Sequence, residues 1–211
     1  TEYEDIMMKY EEIGESVKTK RAEKWKREIW RKLSFDVVKD YFFVNRTERI
    51  PFKELDKVFQ KHTDLLKELG YYGKRLEGAE FPDLSNIIPR EEKFVLERLK
   101  MIPPDENHEF VRGTGWEVEG RGISLIYRRL HPLKPSYTVV AYGGGGTWGY
   151  HYRRERGKLT NRERARLQTF PDSFLFKGSS AEVRAQIGEA VPPLVGKKVA
   201  QVVNLILNEV S

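Results

Sequence analysis

Cysteine is missing altogether from these 211 residues. A chain without a thiol has no thiolate to offer as a nucleophile, so any reaction that needs one must obtain it elsewhere. Long apolar runs are missing too: no stretch of about eighteen apolar residues occurs, and no membrane-crossing helix is expected. The opening residues, TEYEDIMMKYEEIGESVKTKRAEKWKRE, lack the unbroken apolar core of a signal peptide, which makes a cytoplasmic location the expectation. Histidine is scarce, with four copies. His62 falls on an apolar helical face with no second metal-type side chain at a matching spacing, so it reads as a packed histidine and no metal site is expected.

What the chain does have is charge. Its 38 Lys and Arg against 32 Asp and Glu leave a net +6, with a pI near 9.3. That balance suits a polyanionic partner; a solvated surface of mixed charge accounts for it equally well. A hydrophobic fraction of 39% over this length can bury the core of one or two domains.

Apolar residues at helical spacing predict helices over 3–17 (Tyr3, Ile6, Met7, Tyr10, Ile13, Val17) and along the basic stretch that carries Trp25, Ile29 and Leu33. The basic stretch reads either as a helix lying on phosphates or, preferably, as an amphipathic helix with a solvated outer face. Residues 35–52 fit a helix end or a strand. Leu55, Val58, Phe59, His62, Leu65, Leu66 and Leu69 mark another helix, closed by Gly70. Residues 71–88 are rich in turn formers and read as a surface loop. A short helix follows Pro89 and stops at Pro103-Pro104. From Phe110 the pattern changes: ISLIYRRL and SYTVVAY read as strands, and four successive glycines, 143–146, imply backbone held close to another surface.

The most organised stretch is 159–193, LTNRERARLQTFPDSFLFKGSSAEVRAQIGEAVPP. Thr160 with Glu163, and Ser179 with Glu182, are two capping boxes at helix starts. Pro171 ends the first helix. Gly188, Pro192 and Pro193 end the second and launch a third, with Pro193 suited to a first turn. That last helix carries Val195, Val199, Val202, Val203 and Ile206 as one apolar stripe.

LTNRERARLQTFPDSF and QIGEAVPP resemble the last two sequence blocks of the DNA cytosine-5 methyltransferases, in order and correctly spaced. The segment S-x-T-x-x-A-Y-G-G-G ahead of them has the look of the family's major-groove reading surface. Asp105-Glu106-Asn107-His108, following two prolines, resembles a Pro-Pro-Gly-x-Asn-Trp loop, with Asp105 and His108 in place of Gly and Trp. The resemblance covers about residues 101–207, and Val44 to Arg49 is faintly similar to an arginine-bearing block. The family's Phe-x-Gly-x-Gly loop, Pro-Cys pair and Glu-Asn-Val triplet are not found. Glu189 stands where the family usually has Asn, which puts a direct polar role at that position in doubt.

The resemblance implies an α+β protein. Residues 1–102 would be a helical region of unknown role, 103–158 a small β-rich target-recognition region, and 159–211 the closing blocks, whose helices complete an α/β methyltransferase domain. It implies double-stranded DNA as partner, with phosphate contacts to position the chain and base contacts to specify the site. Candidate readers are Tyr127, Arg128 and Arg129, the tip Gly144, Gly145 and Gly146, and Thr147, Trp148, Tyr150 and His151; arginine on guanine is the commonest specific contact. Arg153, Arg154 and Arg156 are candidates for phosphates. Gly188, Glu189, Ala190 and Val191 would lie near S-adenosylmethionine. Methylation at C5 requires a thiolate to add at C6 of the base, so no catalytic residue is assigned here. A catalytic subunit bearing the cysteine and cofactor loop is the expected partner, holding the flipped cytosine while this chain reads the flanking pairs. The alternative is a non-catalytic, sequence-specific DNA-binding module derived from the family.

Overall fold

The computed structural model describes residues 19–29, 52–118, 125–132, 135–143, 147 and 149–210. The helix expected at 3–17, most of the ambiguous stretch 35–52, the block at 44–49, Gly144, Gly145, Gly146 and Trp148 lie outside them. In chain order the α-helices among the described residues are α1 (Lys20–Ile29), α2 (Phe52–Glu68), α3 (Lys93–Lys100), α4 (Asn161–Leu167), α5 (Ser180–Glu189) and α6 (Pro193–Val210), with a 3-10 turn at His108–Val111. They fall into two compact units, the first drawn from 1–50, 88–138 and 143–159 and the second from 51–87, 139–142 and 160–211.

In the first unit the Thr19 hydroxyl accepts from the Ala22 amide at 3.1 Å, opening α1. Arg21 on the first turn of that helix reaches Glu106 and Glu109 at 2.7 and 2.6 Å. Helix α3 begins later than the pattern after Pro89 suggests, with Glu92 extended as its N-cap, and it stops ahead of the buried Pro103 and Pro104. Asn107 caps the 3-10 turn by accepting from the Glu109 amide. Ala22, Ile102, Phe110 and Val111 form the core, flanked by Met101, Trp116, Tyr127 and Tyr152.

The strands expected within 123–130 and 136–142 are not found among the described residues. Tyr127 takes a left-handed φ of 52° and turns the chain, a conformation foreign to a strand. The backbone groups around it are taken up by the 105–108 loop instead. Asp105 donates to the Arg129 carbonyl, Arg129 to Glu106 and His108 to Ile126. Among the described residues two single bridges stand in place of a sheet, Arg129 beside Tyr150 in parallel and Tyr150 beside Lys158 in antiparallel.

In the second unit Gly70, at φ 79°, ends α2 in the expected manner. The amides of Tyr71 and Tyr72 fold back onto the Leu66 carbonyl. Both capping boxes are formed, Thr160 with Glu163 and Ser179 with Glu182. Helices α4 and α5 pack together around Ala165, Phe170, Phe176, Val183 and Ile187. Gly188 lies so close to the backbone of Val140 and Ala141 that a Cβ there would collide with it.

Helix α6 leaves Val195, Val199, Val202, Val203 and Ile206 between 48% and 58% exposed. The expectation of no membrane-length helix needs correction on this point: by length and composition the helical span Ser180–Asn208 qualifies, none of its most apolar window being buried. Pro192 and Pro193 interrupt that span. Lys197, Lys198, Gln201, Asn204 and Asn208 recur along one edge of α6, which makes the helix two-sided rather than apolar all round.

Candidate nucleic-acid interface

Arg128 and Arg129 are neighbours in sequence and have opposite fates. Arg129 is fully buried. Its Nε and Nη2 donate to the Leu99 carbonyl at 3.0 and 2.7 Å. Nη1 donates to the carbonyls of His151, of Arg153 at 2.8 Å and of Arg156 at 3.2 Å, and Nη2 to Arg154 at 3.0 Å. A buried guanidinium is tolerable only with its donors satisfied, and here peptide oxygens satisfy them. Arg129 thus sits where no base edge can reach it, and its expected part in direct reading is corrected to an internal one.

Arg128 is half-buried, its guanidinium stacked 3.5 Å above the centre of the Tyr137 ring. The Tyr137 hydroxyl donates to the Asp105 carboxylate; burial and that carboxylate push the phenol well above its ordinary range. Asp105, at φ 68°, was singled out by sequence only as part of the 105–108 loop; its pairing with Tyr137 was not, because nothing in their spacing joins a loop near 105 to one near 137.

Tyr150 is also buried, its ring 5.5 Å from that of the half-buried Tyr127. As with Arg129, burial replaces its expected contact with bases. His151 Nδ1 accepts from the Arg153 amide at 3.0 Å. Burial, reinforced by the charges of Arg156, Arg153 and Arg129, holds the imidazole neutral and pushes its pKa down to about 3. Arg153, Arg154 and Arg156 are half-buried around an exposed Glu155. Thr147 is half-buried, and its hydroxyl fills the space a Cβ on Gly143 would need. Lys158 pairs with Glu91.

The arginines of 162–166 are clamps. Arg162, wholly buried, holds Asp83 at 2.7 Å, Ser85 at 2.9 Å and the Phe174 carbonyl at 3.0 Å, with the Phe81 ring 4.3 Å from its guanidinium carbon. Burial alone would raise the Asp83 pKa; the Ser85 hydroxyl, the amides of Phe176 and Ser85, and Arg162 outweigh it and lower the value. Arg166 grips Asp172 through two nitrogens and takes the Lys74 carbonyl at 2.9 Å. Arg164 donates to the Val140 carbonyl and Arg184 to that of Ala141. Burial, then the charge of Arg184, pushes the Arg164 pKa down to about 10. The loop 71–88, read as mere surface, supplies half of these partners.

At the turn expected near a cofactor, Gln168 reaches the carbonyls of Ile187 and Ala190 at 3.1 and 3.4 Å. Thr169 accepts from the Leu194 amide at 3.1 Å. Glu189 and Val191 are exposed, Gly188 and Ala190 half-buried. Glu189 bonds the Tyr142 hydroxyl and raises its pKa, so the carboxylate has a partner within the protein. Among the described residues no group of acidic and histidine side chains is arranged to hold a metal.

Residues 106–204 match the family model for C-5 cytosine-specific DNA methylases. Over that stretch the chain is similar to such methylases, and its longest match lies on the C-terminal part of a DNA cytosine-5 methyltransferase. It is 59% identical over 208 residues to the DNA (cytosine-5-)-methyltransferase M.ApeKI of Aeropyrum pernix, across 99% of this chain and 44% of that protein. It is also 49% identical over 120 residues to the Type II methyltransferase M.BbvI of Brevibacillus brevis, covering 54% of this chain and 32% of the relative. With the Type II methyltransferase M.NgoFVII of Neisseria gonorrhoeae it shares 65% identity over 96 residues, 45% of this chain and 25% of the relative. The chain therefore spans less than half the length of these curated relatives. The first hundred residues, which lie outside the stretch 101–207 that carries the resemblance, are included in the match to the A. pernix protein.

Proposed function

We propose that this chain is the target-DNA recognition portion of a DNA (cytosine-5-)-methyltransferase, working with a polypeptide segment that brings the cysteine and most of the S-adenosylmethionine site. One observation carries the reading: 59% identity across nearly the whole chain to such an enzyme, in residues that contain no cysteine. In this reading 103–158 recognise the site whatever their strand content, and 159–211 close the methyltransferase domain. Arg128, braced by Tyr137 and Asp105, is the leading base reader, and Thr147, His151 and the glycine tip are further candidates. Arg153, Arg154 and Arg156 meet phosphates.

S-adenosylmethionine would supply the methyl group. On this chain the turn 188–191 is the segment offered to it; Gly188 packs on the backbone of Val140 and Ala141, the Ala190 carbonyl accepts from Gln168, and Val191 is exposed. Glu189 is occupied by Tyr142 and is not the direct polar contact.

The test is reconstitution. The chain alone, given duplex DNA and radiolabelled S-adenosylmethionine, should transfer nothing. Adding the part of the A. pernix relative that this chain does not cover should start transfer to cytosine. Transfer by the chain alone would end the proposal. DNA binding with no transfer in the mixture would favour the non-catalytic module.

A further inference from the structure

We infer that Arg129 is a positioning residue: from inside the first unit it fixes the shape of loop 151–156, and through that shape sets how the loop's arginines meet a DNA backbone. The inference rests on the reading above and adds to it a residue that touches no DNA.

The carbonyls of His151, Arg153, Arg154 and Arg156 all converge on this one cation. The loop is short, and three of its side chains carry like charge, so on its own it would spread rather than tighten. A buried positive centre that draws the peptide oxygens inward opposes the spreading without meeting the side-chain charges. The second anchor is the Leu99 carbonyl, in the last turn of α3 at the negative end of the helix, which also accepts from the Ile102 amide at 3.0 Å. One planar guanidinium therefore ties a helix end to four points of the loop. Lysine cannot replace it, since three donors on one nitrogen do not reach both sides. His151 completes the arrangement by accepting from the Arg153 amide, and the Arg156 amide closes back on Arg153 at 3.1 Å.

The experiment measures binding of the intact chain to a 30-base-pair duplex of mixed sequence across a potassium chloride series, by fluorescence anisotropy. Five forms are compared: the unaltered chain, R129K, the triple variant R153A/R154A/R156A, the two sets combined, and R162K. The triple variant should lower the log–log salt slope by about 0.9 for each phosphate contact removed. R129K should lower the slope in the same direction although it preserves net charge, and should lower it no further in the triple background. R162K, which alters the other buried clamp, should reduce thermal stability and leave the slope unchanged.

A steep slope in the unaltered chain that R129K does not change would overturn the inference while leaving the DNA reading intact. No salt-dependent binding by the unaltered chain would instead count against the reading itself. Should R129K fail to fold, hydrogen exchange on the unaltered chain decides. Amides of 151–156 protected before DNA is added support the inference. Exchange there at the rate of an open peptide refutes it.

Discussion

His151 ties pH to stability at the scale of a single residue. In the unfolded chain its imidazole takes up a proton near the ordinary 6.5, whereas in the folded chain it does so only near 3. Between those values the unfolded state binds more protons, so stability falls as pH drops through the window and is unaffected by this group above it. At about 1.4 kcal/mol per pH unit, acidifying from 7 to 5 should remove on the order of 2 kcal/mol. H151N keeps an acceptor for the Arg153 amide but cannot titrate, and its unfolding midpoint should shift less between those two pH values. An equal shift in both forms would show that carboxylates, not His151, govern acid sensitivity. Arg162→Met should cost about 3–5 kcal/mol by stranding the buried Asp83 carboxylate, seen as a lower denaturant midpoint. The importance of 162–166 was legible in the sequence because the block stands out as a string. The difference between Arg128 and Arg129 was not, since two adjacent arginines carry no mark of which will face inward.

Capped helices are the elements that sequence rules described best. Each depends on residues three apart, and both boxes formed. Thr160→Ala should cost about 1 kcal/mol, measured by thermal unfolding. Among the described residues the expected strand at 123–130 does not form, because apolar alternation cannot register a left-handed Tyr127 or a loop 20 residues upstream that claims the same backbone groups. Two glycines give opposite expectations for one substitution. Gly188→Ala should destabilise the protein by driving a methyl into the Ala141 backbone. Gly196→Ala in α6, where a Cβ meets nothing, should stabilise the helix by roughly 0.5–1 kcal/mol. Circular dichroism melts of the two variants check both signs. The stripe on α6 was read correctly as a pattern, and its exposure fits a surface that closes on the catalytic segment. V199D/V203D/I206D should therefore abolish co-purification with that segment, and unchanged co-purification would remove α6 from the contact.

For the whole molecule, loss of transfer and loss of binding should separate. R153A/R154A/R156A in the reconstituted mixture should raise the DNA concentration needed for half-maximal methylation, and saturating DNA should recover the rate. A fall in the saturated rate would instead place the cluster nearer the chemistry. The alternation of the two units along the chain, 1–50, 51–87, 88–138, 139–142, 143–159 and 160–211, also bears on how such a protein is made. Asp83 waits for Arg162, 79 residues later in synthesis. While the ribosome is still working, the second unit has its loop but not its clamp, and closing so wide a separation is slow. The second unit cannot mature until its last segment has been made, and neither unit can be exchanged between genes as one continuous cassette. A new recognition surface is more readily acquired by substitutions inside this interleaved frame than by wholesale transplantation.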